Sequence, residues 1–326
     1  MTGATGFVGS HLVERLCREG VEVACLVRPT SRLAWLEGLE VETRTAPLEE
    51  ADALAEAVAG ADVVFHAAGL TRARAAKDYM AVNAAGTRRL LAAVERSAPG
   101  LRRFVYVSSL AAAGPTPWAE PLDESAEPRP HDAYGASKLA AEQAVLGAGL
   151  PGCVVRPPAV YGPRDRNLLP LFRMAQRLGL APVIGSRAKE VSLVHAADLA
   201  SCLWLAATSE AAAGETYFVG SGTHRWTDVI AALAAALGRR VRGLRVPAFA
   251  ARLAGELGEL RWTLTGTPQI LCRRKVRDLL QPRWTCSWAK AERELGYRAA
   301  VPLAEGMAHT AAWYAEQGWL RPLGRG

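Results

Sequence analysis

The chain opens on a glycine turn, and that turn limits the available folds more than any other feature. Thr2-Gly3-Ala4-Thr5-Gly6-Phe7-Val8-Gly9 places glycines three apart and leads directly into Ser10-His11-Leu12, where apolar residues begin to recur at helical spacing. Gly3 permits a tight turn, Gly6 lets backbone approach a pyrophosphate, and Gly9 lets the helix close on a sheet. The start of the helix adds free N–H groups and a partial positive charge. Gly3, Thr5, Gly6, Phe7, Val8 and Gly9 therefore read as a phosphate cradle. Downstream, residues 21–27, 39–45, 61–66 and 103–108 are short runs with β-branched residues, of strand type, while 10–19, 49–59 and 75–97 carry helical periodicity. This alternation predicts an α/β fold, a doubly wound parallel sheet of Rossmann type.

Residues 153–156 and 216–219 supply two further strands. The expected division is a nucleotide-binding domain over 1–160, to which 191–220 returns, and a smaller substrate lobe over 221–326 together with 161–190. One element is missing from this plan. A strand should feed the glycine turn, yet the glycines begin at residue 3. That strand is central in the usual order, so without it its neighbours are left unpaired along the middle of the sheet. The expectation is that the true start lies upstream of Met1 and encodes a short apolar strand.

The end of the second strand selects the nucleotide. An acidic side chain there would hold a ribose 2′-hydroxyl. Here the run is Leu26-Val27-Arg28-Pro29-Thr30-Ser31-Arg32, with no acid. Arg28 and Arg32 suit a 2′-phosphate, since guanidinium forks match phosphate oxygens. NADP(H) is the expected cofactor, with NAD(H) as the other reading.

Tyr134-Gly135-Ala136-Ser137-Lys138 places a phenol and an ammonium four apart, on one helical face. A free tyrosine, with a pKa of ~10, is a poor base at neutral pH, and a neighbouring cation lowers that value. The pair can then exchange a proton with an alcohol or carbonyl while a nicotinamide exchanges hydride. Upstream, Phe104-Val105-Tyr106-Val107-Ser108-Ser109 reads as a strand ending in two serines at the sheet edge. Ser109 is placed there to hydrogen-bond a substrate oxygen.

Composition excludes several other classes. The net charge of +7 comes from 39 basic residues scattered among 32 acidic ones, with no basic arm or recognition motif for nucleic acid. Six cysteines lie far apart without a Cys-x-x-Cys pair, the pattern of a reduced cytoplasmic protein. No His/Cys/Asp cluster has metal-ligand spacing, so no metal is expected. No apolar run reaches the ~20 residues of a membrane span. Residues 246–260 are apolar on one side; they read either as a helix packed on its own lobe or as one lying on a membrane.

Together the motifs resemble the extended short-chain dehydrogenase/reductase family, which includes NAD-dependent epimerases and dehydratases, and the resemblance runs nearly the whole chain. Phe65-His66-Ala67-Ala68-Gly69 resembles its segment beside the nucleotide, and Val82-Asn83-Ala84-Ala85-Gly86-Thr87 its asparagine-bearing helix. Arg156-Pro157-Pro158-Ala159-Val160-Tyr161-Gly162-Pro163 resembles its nicotinamide-side loop, and Val194-His195-Ala196-Ala197-Asp198 its return segment. The resemblance implies Ser109 as substrate-oxygen donor, Tyr134 as acid/base, and Lys138 binding the ribose and tuning Tyr134. It adds His66, Ala67, Ala68, Asn83 and Pro157 to the cofactor side and implies a homodimer.

The departures narrow the reaction. Dehydratases carry Asp-Glu where this chain has Leu110 and Ala111, and epimerases commonly carry Asn in place of Ala159 and an arginine near Val191. Arg164, Arg166, Arg187 and Lys189 lie nearby as substitutes for that arginine. Arg28 and the Arg-Pro-Pro loop resemble instead the branch of dihydroflavonol reductases and 3β-hydroxysteroid dehydrogenases. The first reading is an oxidoreductase interconverting a secondary alcohol and a ketone or aldehyde. A nucleotide-sugar epimerase is the alternative, and a non-catalytic NAD(P)-binding sensor the third. The small-molecule substrate is expected to be lipophilic, because the lobe is rich in Trp and Leu.

Overall fold

The computed structural model describes the chain except for residues 118, 187, 268, 270 and 324–326. The glycine turn leads into α1 (Phe7–Arg18), then β1 (Ala24–Val27), β2 (Glu42–Thr45), α2 (Ala51–Val58) and β3 (Val63–His66). The predicted helix 75–97 is α3 (Ala76–Tyr79), a π-helical turn (Met80–Ala85) and α4 (Gly86–Ser97). There follow β4 (Arg103–Val107), α5 (Leu110–Ala113), α6 (Ala133–Leu146), β5 (Gly152–Arg156), β6 (Ala159–Tyr161), α7 (Leu169–Leu178), β7 (Leu180–Ile184), β8 (Glu190–His195) and α8 (Ala196–Thr208). The chain ends with β9 (Thr216–Phe218), β10 (Gly222–Arg225), α9 (Trp226–Ala236), β11 (Arg242–Val246), α10 (Ala248–Thr265), α11 (Arg273–Leu280), β12 (Arg283–Trp284), α12 (Ala289–Leu295) and α13 (Leu303–Glu316).

All pairings in the main sheet are parallel, in the order β3-β4-β5-β9, with β2 paired to β1 alongside. Strands β4 and β5 are buried at every position, and apart from Arg103 at the start of one and Arg156 at the end of the other their runs are apolar or aromatic. Helices α1 and α8 cover one face around Leu12, Leu16, Leu199 and Leu203, and α2, α4 and α6 cover the other around Leu54, Leu90 and Val145. Between β1 and β3 the place of a central strand is taken by Thr2, which bridges Leu26 on one side and His66 on the other. Met1 O accepts from Leu26 N at 2.8 Å, and Thr2 N donates to Phe65 O at 2.9 Å. Met1 and Thr2 thus fill only the last positions of the expected strand. Below them, a cleft of about 1250 Å³ lined by Val23, Glu42, Val58, Val63 and Arg103 separates the two halves of the sheet at their N-terminal ends.

The second sheet is β10-β8-β12, with β6 also on β8. Its core gathers Phe172, Val229, Leu233, Met307 and Tyr314. Residues 190–195 form β8 of this second sheet, and α8 follows directly from Ala196. β8 bears lobe packing through Val191 and Leu193, while Val194 joins the nucleotide-domain core. Alternation along one strand thereby welds the two regions. Among the described residues, no helix is long and apolar enough to cross a membrane.

Candidate active site

The glycine turn is compressed in the way its sequence requires. Gly3 has φ +75°, and a Cβ there would lie 2.6 Å from the backbone of Ala67 and Ala68. A Cβ on Gly9 would lie 2.0 Å from Gly3 O. Helix α1 starts at Phe7 with Gly6 as N-cap and no side-chain cap, leaving the first N–H groups of Phe7 and Val8 without a side-chain partner. This is a donor set suited to a diphosphate. Arg28 and Arg32 are both exposed beyond the end of β1, and Arg28 N donates to Ser31 Oγ at 3.0 Å.

The catalytic candidates converge at the C-terminal ends of β4 and β5. Ser109 caps α5, its Oγ accepting from Ala111 N at 3.2 Å. Tyr134 occupies the first turn of α6, whose N-cap Asp132 accepts from Gly135 N at 2.7 Å. A Cβ on Gly135 would lie 2.2 Å from Ala111 O, so this glycine lets α6 close on α5. The Ser109 side chain lies beside the Tyr134 phenol. Burial raises the phenol above its ordinary pKa, opposed first by the neighbouring Ser109 side chain and then by the Arg274 charge.

Lys138 lies one turn further along, fully enclosed. Its Nζ donates to Val107 O at 2.7 Å and stands 4.3 Å from the centre of the Tyr106 ring. Burial lowers its pKa to about 7, against the opposing attraction of Glu142. Arg274 of α11 faces the Tyr134 ring, with its guanidinium carbon 5.3 Å from the ring centre. Arg274 is held by Asp132 at 3.2 Å and by Thr71 O at 3.0 Å. Asp132, Asp278 and His131 form a group of metal-ligand type, but Arg274 is paired with both carboxylates.

Two predicted cofactor-side residues turn out to be internal struts. Thr87 Oγ1 donates to Asn83 O at 2.5 Å and so accepts from His66 Nε2 at 2.8 Å. Thr2 Oγ1 accepts from Ala68 N and donates to His66 Nδ1 at 2.6 Å. Burial drives the His66 pKa down to about 3, and the ring stays neutral. Asn83, in the π-turn, accepts from Leu70 N at 2.7 Å and donates to Leu70 O and Ser137 Oγ. It ties the loop containing Ala67 and Ala68 to α6. Pro157 O accepts from Leu110 N at 2.8 Å, which docks the nicotinamide-side loop on the Ser109 cap.

Of the expected diphosphate substitutes, Arg164 is bound to Ser10 and Glu14, Arg166 stacks on Trp319, and Lys189 Nζ donates to Leu279 O. Each has a structural occupation; Arg187 lies outside the described residues. His195 caps α8, and Asp198 accepts from Ala300 N and Val301 N, so both fix the return segment. Trp226 and Trp262 pack in the lobe, while Trp284 stands 5.3 Å from His131, on the Tyr134 side.

Sequence reasoning missed Glu142 and Arg274, and read Arg156 only as the start of the nicotinamide-side loop. Arg156 grips Glu142 through two bonds of 3.0 and 2.6 Å, and Ser108 Oγ donates to the same carboxylate. The i, i+4 spacing of Lys138 and Glu142 was a usable signal. Nothing local in the sequence marks Arg274, which is brought in from 140 residues downstream of Tyr134.

Residues 1–220 match the model of the NAD dependent epimerase/dehydratase family. The chain is 36% identical over 321 residues to a ceramide reductase of Caulobacter vibrioides, covering 98% of this chain and 95% of that one. It is 32% identical to 4-hydroxy-2-methyl-3-oxo-4-farnesyl-3,4-dihydroquinoline-1-oxide ketoreductase of Stigmatella aurantiaca, over 94% of this chain and 93% of the other. The crystal structure of gox2253 superposes with a TM-score of 0.82 at 27% identity, over 98% of each chain.

Proposed function

The chain belongs to the NAD-dependent epimerase/dehydratase family and is an NAD(P)-dependent oxidoreductase, and from that premise we propose that it reduces the carbonyl of a lipophilic substrate. The observation that carries this reading is the meeting of Ser109 and Tyr134 beneath Arg274, at the sheet end where the glycine turn also lies. The cofactor, when bound, supplies the hydride. The glycine turn and the free N-terminus of α1 hold its diphosphate, and Arg28 and Arg32 favour a 2′-phosphate, hence NADPH.

Ser109 Oγ and Tyr134 Oη together hydrogen-bond the substrate oxygen and fix the carbonyl's orientation. As charge develops on that oxygen, Tyr134 gives up its proton there. Burial keeps the phenol protonated at neutral pH, which suits reduction; Arg274 and the Ser109 hydroxyl stabilise the phenolate left behind. Lys138 and its Glu142–Arg156 support hold α6 against β4 and β5, fixing where Tyr134 stands.

Leu110 and Ala111 cannot move protons, which argues against dehydration, and Ala159 is likewise apolar. Reduction is supported further by two relatives named as a ceramide reductase and a ketoreductase. The test is NADPH oxidation against a panel of long-chain and aromatic ketones. The parent should turn over cofactor stoichiometrically with alcohol product, and Tyr134→Phe should lose about 10²–10⁴-fold in kcat. Interconversion of sugar-nucleotide epimers without added cofactor would establish the epimerase reading in its place.

A further inference from the structure

Helix α10 is apolar on two opposite faces, and the protein covers only one. The inner face packs on α11 through Ala251, Gly255 and Trp262. A Cβ on Gly255 would lie 2.8 Å from Val276, and one on Gly258 1.9 Å from Leu271 O, so the two helices are in close contact. The outer face carries Phe249, Leu253, Leu257, Leu260 and Leu264, which are 55–76% exposed. At 100° per residue these five fall within an arc of about 80° and run about 22 Å along the axis. A continuous stripe of this kind differs from scattered surface leucines and marks a site of association.

Charge identifies the partner. Residues 239–282 contain ten Lys and Arg against three Asp and Glu, so this stretch holds the whole positive surplus of the chain and the remainder is balanced. Arg242 and Arg245 lie exposed on β11, immediately before α10; Arg252 and Arg261 flank its stripe, and the one acid at its edge, Glu256, is paired with Arg273. An apolar stripe bordered by cations matches the acyl boundary of a bilayer and its anionic headgroups. A second copy applied to the same face would bring like charge against like.

The stripe also lies beside the candidate site. Arg74, in the loop after β3, donates to Thr263 O near the end of α10, and α11 carries Arg274 to Tyr134. We propose that α10 is an interfacial helix, docking the protein on an anionic lipid surface with its site mouth at the bilayer. The docking stands apart from the reductase reading; only its use, in admitting an acyl or isoprenoid substrate from the membrane, rests on it.

The test reads binding without turnover, so failure of the reductase reading leaves it intact. The purified full chain is sedimented with phosphatidylcholine vesicles and with vesicles that also contain phosphatidylglycerol. It should pellet with the anionic vesicles and be released by salt. Combining Leu253→Ser, Leu257→Ser and Leu264→Ser should weaken this at least about tenfold with Tm unchanged. The pair Arg242→Gln, Arg245→Gln leaves the helix untouched and should weaken only anionic-vesicle binding. A parent that stays in the supernatant, or a triple variant that pellets as the parent does, overturns the proposal. A parent dimer that the triple variant converts to monomer overturns it too, by assigning the face to a second copy.

Discussion

Two cations stand beside the first turns of α6, and they come from different regions of the molecule. Lys138 belongs to the nucleotide domain, is sealed between α6 and β4, and donates its hydrogen bond to Val107 O. Burial brings its pKa to about 7, so near neutrality its charge is only partly present. Arg274 belongs to the lobe, is half-buried over the Tyr134 ring, and keeps its charge through Asp132 and Asp278. The domain that binds the nucleotide therefore supplies position, and the lobe supplies the full charge. Through Arg274 the lobe places a charge against the Tyr134 ring.

The largest expected effect tests the positional half. Glu142→Ala leaves Arg156 buried and unpaired, and should cost about 3–5 kcal/mol of stability in a denaturant titration. A loss under about 1 kcal/mol would mean that Glu142 and Arg156 do not anchor α6.

The next concerns the charge. Arg274→Leu removes a cation that lowers the Tyr134 pKa, so the phenol stays protonated to higher pH. In the alcohol-oxidising direction, which needs the phenolate, the rising limb of the pH–rate profile should move to higher pH. Lys138→Met should move that limb less. An equal or larger shift for Lys138→Met would reverse the comparison.

The smallest effect lies outside it, at the nucleotide's far end. Arg28→Ala should narrow the preference for NADPH over NADH by about tenfold, the worth of one charge-assisted hydrogen bond. Equal affinities in the parent would remove the assignment.

The legible parts of this protein were those encoded by local spacing. Glycines three apart, apolar runs alternating with helical periods, and a phenol four residues before an ammonium all express geometry set within a few residues. Ser109, Tyr134 and Lys138 were read this way, and the structure brings them to one end of the sheet. His66 and Asn83 were read by resemblance, yet their ring and amide groups are taken up by Thr2, Thr87, Leu70 and Ser137. Side-chain partners that far away in sequence leave no local pattern.

By itself, then, the sequence determined the doubly wound sheet, the glycine turn and the spacing of Tyr134 and Lys138 on one helix, because each depends on backbone preference and periodicity. Only the tertiary structure decided that Arg274 faces Tyr134 and that Met1 and Thr2 bridge β1 and β3. It also decided which face of α10 is covered. These depend on burial and on contacts between distant segments, and an amino acid's environment in a fold is not a property of its neighbours in the chain.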